Sequence, residues 1–195
     1  MNRKAYSYSC LMAKIPKSLA DKIRGFGASI PDDCIYQDKT GERGRQDEIH
    51  ITVKYGIHTT DVVEVLDLVE KTKPLKVKLG KTSIFWVNDS IVLKISVQSQ
   101  DLMVLNTKIC RKLDCTDTYP DYKPHVTVAY LKKDEKNPYW FQKYLTNDFE
   151  GMEVELDELV FSTSNGQKYK VKLNDDRLED RVSKIANRIA NRSQQ

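Results

Sequence analysis

His50-Ile51-Thr52-Val53-Lys54-Tyr55 and, 75 residues later, His125-Val126-Thr127-Val128-Ala129-Tyr130 agree at four of six positions. Both are β-branched runs of the kind that forms strands. Around each copy the pattern reads strand, helix, strand, as an internal duplication would. Two such repeats pack naturally as a two-lobed α+β domain with a pseudo-twofold axis. The expectation is therefore two antiparallel sheets around a central cleft, with helices outside.

The flanking sequence fits this frame. Residues 5–14, AYSYSCLMAK, form a first aromatic and apolar strand, and Pro16 opens a helix over KSLADKIRGF. Residues 29–48 are a long polar loop that could cover a site. Thr60 and Asp61 cap a helix over TDVVEVLDLVEK. Strands PLKVKLGKTSIFW and SIVLKISVQ follow, split at Asn88 and Asp89. Leu102, Leu105, Ile109 and Leu113 make one helical stripe. A short aromatic helix spans Tyr139 to Leu145. Two last strands, MEVELDELVFSTS and QKYKVKL, meet at an Asn165-Gly166 turn. The domain is expected over 1–173, and 174–195 reads as a separate amphipathic helix that packs on the domain, tethers it or dimerises.

The chain has 195 residues, 39% hydrophobic and 31% charged, within the range of ordinary globular proteins. No apolar run approaches the length of a membrane span, and the N-terminus lacks the apolar core of a secretory signal. A cytosolic location is expected. Cys10, Cys34, Cys110 and Cys115 are scattered, which argues against a disulfide framework or a zinc site. The net charge of +4 suits a small anionic ligand better than extensive nucleic-acid coating.

On a strand, residues i and i+2 share a face. His50 and Thr52 therefore project together, as do His125 and Thr127, and a pseudo-twofold brings the two pairs to one cleft. Two imidazoles can divide the work of general base and general acid, since histidine titrates near neutral pH. The hydroxyls can donate to non-bridging phosphate oxygens. That is a kit for in-line attack on phosphorus. Twelve threonines in the chain give any histidine about a 6% chance of Thr at i+2, so two of three by accident is about a 1% event. Lys54, expected on the same face, is either a phosphate ligand or a solvated strand-end lysine. Trp86 either stacks a base or packs as a partly buried core residue. Tyr6 and Tyr8 share a face and either line the cleft or pack. Tyr55 and Tyr130 are expected on the core face, and His58 in a loop, with at most a minor part in binding.

The two H-[IV]-T-V motifs resemble those of the 2H phosphoesterases, which include 2′-5′ RNA ligase-like (LigT) proteins and cyclic phosphodiesterases. The resemblance runs from the first strand to about Leu173. Within that superfamily, EIHITVKYGIHT and TYPDYKPHVTVAYLKK look most like phage anti-CBASS nucleases, which degrade cyclic oligonucleotide signals. The resemblance implies that His50, Thr52, His125 and Thr127 are catalytic, with no metal and no cofactor. It implies cleavage of 3′-5′ cyclic oligonucleotides, or of 2′,3′-cyclic phosphates at RNA ends. Sequestration of a nucleotide without cleavage is the non-enzymatic alternative. No membrane partner is expected.

Overall fold

The computed structural model describes residues 6–38, 43–117 and 121–173. The expected C-terminal helix lies outside them. Among the described residues eight strands run β1 Ser9–Lys14, β2 His50–Ile57, β3 Leu75–Trp86, β4 Ile91–Gln98, β5 His125–Leu131, β6 Glu153–Leu156, β7 Glu158–Ser162 and β8 Lys168–Lys172. The helices are α1 Lys17–Ala28, α2 Val62–Val69 and α3 Gln100–Lys112. The aromatic segment after β5 is a single 3-10 turn, Trp140–Tyr144.

The strands form one curled antiparallel sheet in the order β6-β3-β4-β5-β2-β1-β7-β8. This corrects the expectation of two sheets. The repeats do occupy opposite halves, but β2 and β5 join them through the pair Ile51↔Val126. The pairing satisfies backbone groups that two free central edges would leave open. Beyond that pair the two strands diverge, and each takes a loop as its new neighbour. For β2 the neighbour is 114–116: Ile57 bridges Cys115, and the Thr116 N–H donates to the Gly56 carbonyl at 2.8 Å. For β5 it is the polar loop: Ile35 bridges Leu131, Arg45 bridges Ala129, and the Tyr130 N–H donates to the Gly44 carbonyl at 2.8 Å.

The stretch read as one strand, MEVELDELVFSTS, crosses between halves. β6 pairs with β3, β7 pairs with β1 and β8, and only Asp157 separates them. A one-residue link spans no more than about 7 Å between flanking Cα atoms. Strands six places apart in the sheet order must therefore meet, and the sheet curls to allow it.

One core runs through both halves. Leu11, Ala13, Ile51, Leu93, Ile95 and Val126 are fully buried and cluster with Ile23 of α1 and Leu102, Leu105 and Ile109 of α3. Asp61 caps α2, its carboxylate accepting from the Val63 N–H at 2.9 Å, and Ser99 caps α3 through the Leu102 N–H at 3.1 Å. Such caps supply about 1 kcal/mol each.

Candidate active site

Directly opposed residues in an antiparallel pair project to the same side. His50 opposes Lys14 and Thr52 opposes Met12 on β1; His125 opposes Ser96 and Thr127 opposes Lys94 on β4. Because fully buried Ile51 and Val126 face α1 and α3, the residues flanking them face the other way. His50 and Thr52 flank Ile51, and His125 and Thr127 flank Val126, so the one pair that joins β2 to β5 puts both motifs on the same side, near enough for His50 to act on the charge of His125. The structure thus brings all four motif residues to the face opposite the helices, each half-buried.

The imidazoles are held alike. Nδ1 of His50 lies 2.7 Å from the Glu48 carbonyl, and Nδ1 of His125 lies 2.8 Å from the Lys123 carbonyl. A carbonyl only accepts, so each Nδ1 carries a hydrogen and donates it. Nε2 is left to exchange a proton with a ligand. Burial pushes the His50 pKa below the ordinary histidine value, with the Glu48 carbonyl and carboxylate opposing and Lys168 assisting. Burial also lowers that of His125, against the Lys123 carbonyl, with Lys94 and His50 adding to the drop. Phe85 meets the His125 ring edge-on at 5.7 Å.

Both shifts couple stability to pH. The unfolded chain binds protons to the two histidines more readily than the folded chain does. Their contribution to stability is complete above about pH 6.5 and is lost as pH falls through the lower folded values. If the same two groups are the base and acid of the free enzyme, the optimum of kcat/KM lies on the acid side of about pH 6.5. A pH–rate profile peaking at pH 8 would contradict the pairing of roles.

Beyond the motif threonines the alternation expected from the sequence inverts, because both strands carry a bulge at the same place. Met12↔Thr52 is followed by Leu11↔Lys54, which leaves Val53 extra; Lys94↔Thr127 is followed by Leu93↔Ala129, which leaves Val128 extra. One extra residue reverses the alternation. Lys54 therefore turns to the helix side, 6% exposed, where it pairs with Asp117 near Cys110. Burial draws its pKa down, but Asp117 and Cys110 outweigh this and hold it above its usual value. Lys54 is not in the cleft. Conversely Tyr55 and Tyr130, expected in the core, oppose Cys10 and Val92 and take the histidine face. Tyr55 is 37% exposed.

Trp86 follows Phe85 on a regular strand and so faces away from His125. It is 50% exposed, with its ring against Phe141 and Lys133. Tyr8 stacks on His58 at 5.3 Å and meets Tyr55 edge-on at 5.7 Å, at the outer end of β2. Tyr6 precedes β1, 43% exposed, and donates its backbone N–H to Ser164. His58 lies 3.0 Å from Asp114 through Nδ1 and 2.7 Å from the Thr116 hydroxyl through Nε2, tying the loop to β2.

Two groups near the motifs are not anticipated by the motif pattern. Tyr122 donates its hydroxyl to the Thr52 carbonyl at 2.9 Å, which fixes the approach to His125 against the first motif. Lys94 stands opposite Thr127. It is the only charge within Ile91-Val92-Leu93-Lys94-Ile95-Ser96-Val97, an isolation visible in the sequence. Among the described residues no three His, Cys, Asp or Glu side chains converge as metal ligands, and no helix is long and apolar enough to cross a membrane.

Comparison with solved structures finds the same fold at low identity. TT0787 of Thermus thermophilus matches with a TM-score of 0.55 and 11% identity over 86% of this chain and 95% of that one. E. coli LigT complexed with 3′-AMP matches at 0.53 and 12%, covering 86% and 95%. Kluyveromyces marxianus Usb1 matches at 0.50 and 9%, covering 86% and 99%. No curated protein matches. The family model of the 2′-5′ RNA ligase superfamily matches residues 19–168. The chain belongs to that superfamily, the 2H phosphoesterases.

Proposed function

We propose that the chain is a metal-independent phosphodiesterase in which His50, Thr52, His125 and Thr127 carry the reaction. The observation that supports it most is the matched pair of imidazoles, each with Nδ1–H committed to a carbonyl two residues back and Nε2 left on one shared face. In the proposed step a hydroxyl or water oxygen bonds to phosphorus while its proton passes to one Nε2. The P–O bond to the leaving oxygen breaks, and that oxygen takes the proton from the other Nε2. Thr52 and Thr127 donate to the non-bridging oxygens, whose charge shifts in the transition state.

The preferred substrates are small nucleotides, foremost 3′-5′ cyclic oligonucleotides, as the phrases around both motifs suggest. The 3′-AMP bound by LigT favours a second reading, a 2′,3′-cyclic phosphodiesterase acting on RNA ends. A panel of cyclic di- and trinucleotides and 2′,3′-cyclic mononucleotides, incubated in EDTA and analysed by mass, tests both. The first reading predicts linear products from the cyclic oligonucleotides. Cleavage confined to the mononucleotides selects the second. Binding without any product, or activity lost to EDTA and restored by a divalent ion, overturns the proposal.

A further inference from the structure

The two halves of the sheet are alike in backbone but not in charge. Met12 and Lys94 occupy matching places, each opposite a motif threonine and each next to a bulge. The fold accepts an apolar side chain at that place in one half, so it does not need a cation there in the other. In the β1 half the lysines are neutralised internally: Lys14 pairs with Glu158 at 3.0 Å and Lys168 with Glu48. Lys94 has no ion pair among the described residues. Its charge is half-buried, and burial together with the Lys123 ammonium pushes its pKa down. Lys123 itself reaches only a loose, exposed pair with Asp121 at 3.7 Å. A half-buried ammonium kept beside a second one and without an acid is destabilising unless something anionic arrives.

The position of Lys94 says where that anion sits. A phosphorus held between the motif pairs lies over the β2–β5 seam. β4 lies one and a half strand spacings from the seam, roughly 7 Å away. That offset roots the Lys94 side chain one step along a nucleotide backbone from the reacting phosphate. Across the seam the matching place offers Met12, which no phosphate would seek.

From this geometry we infer that Lys94, assisted by Lys123, is a subsite for a second phosphate adjoining the scissile one. The substrate class is then one with at least two neighbouring phosphates, an oligonucleotide in linear or cyclic form, rather than a mononucleotide 2′,3′-cyclic phosphate. The subsite rests on the phosphodiesterase reading for the place of the scissile group. Its test is a binding measurement, independent of turnover.

The experiment compares wild type, Lys94→Met and Lys94→Arg in calorimetric titrations with 2′-O-methyl ApA, pApA and ApAp. These ligands lack an internal nucleophile and differ only in a terminal phosphate. In wild type one of the two doubly phosphorylated ligands is expected to bind about tenfold or more tighter than ApA, the scale of one charge-assisted hydrogen bond. Lys94→Met should erase that advantage and leave ApA affinity unchanged, and Lys94→Arg should keep most of it. The melting temperature of Lys94→Met should rise, since the substitution copies what the other half already carries. Equal losses on all three ligands would place Lys94 on the scissile phosphate and overturn the subsite. No preference for either doubly phosphorylated ligand in wild type would also overturn it, as would a lower melting temperature in Lys94→Met. A protein that binds as expected but cleaves nothing would instead sink the phosphodiesterase reading.

Discussion

His125→Ala is expected to lower kcat by about 10²–10⁴-fold, and His50→Ala by a similar factor, because each removes one proton-transfer partner. The pair acts as a unit: with the base gone, the acid has little left to assist. The double substitution should therefore fall well short of the product of the single effects. Stability should fall only modestly, by about 0.5–1.5 kcal/mol, since each half-buried ring gives up one hydrogen bond, to the Glu48 or Lys123 carbonyl. Steady-state kinetics on whichever substrate the panel identifies, with a melting curve for each variant, checks both halves of the statement. Turnover within tenfold of wild type in a folded His50→Ala or His125→Ala protein would falsify the assignment.

The second large effect concerns the fold. Gly56 has φ of +93°, and a Cβ there would lie 2.1 Å from the Thr116 carbonyl oxygen, a backbone atom with nowhere simple to go. Gly56→Ala should cost at least about 1–3 kcal/mol in backbone strain alone, with the clash in addition. At about 2–4 °C per kcal/mol for a domain of this size, the melting temperature should drop by several degrees. The displaced segment leads to Asp117, the partner of Lys54, and on towards Tyr122, which holds the Thr52 carbonyl. Activity should fall with stability. Gly25→Ala is the control: it lies in α1, and nothing stands within 4 Å of its added Cβ. That change should be neutral or stabilising by roughly 0.5–1 kcal/mol. Matching melting temperatures for the two variants would refute the account of the β2 end.

The duplicated motif made the central strands legible, because a strand's period of two is enough to put His50 with Thr52 and His125 with Thr127. That reasoning stopped at the bulges. Val53 and Val128 look like any other β-branched strand residues, and nothing local marks them as extra. Only the partner strands reveal it, since a bulge is a mismatch between two strands. Every side-chain assignment beyond the bulge was therefore reversed, Lys54 and both tyrosines together. The two readings of Trp86 stay open in the sequence for a related reason: its face depends on where Phe85 points, which the β4 register decides. Lys94 was within reach, as the lone charge in an apolar strand. The single sheet was not, because the Ile51↔Val126 pair and the Asp157 crossing are long-range contacts with no composition of their own.

The crossing at Asp157 also governs how the molecule can move. A protein with two halves meeting at one residue pair invites the picture of jaws that swing open to admit a ligand and shut on it. Here a single residue staples the far side of one half to the other, anchored by ladders on both flanks. Large-angle hinging would have to tear one of those ladders. The ladders therefore set the backbone separation of the two motif strands before anything binds.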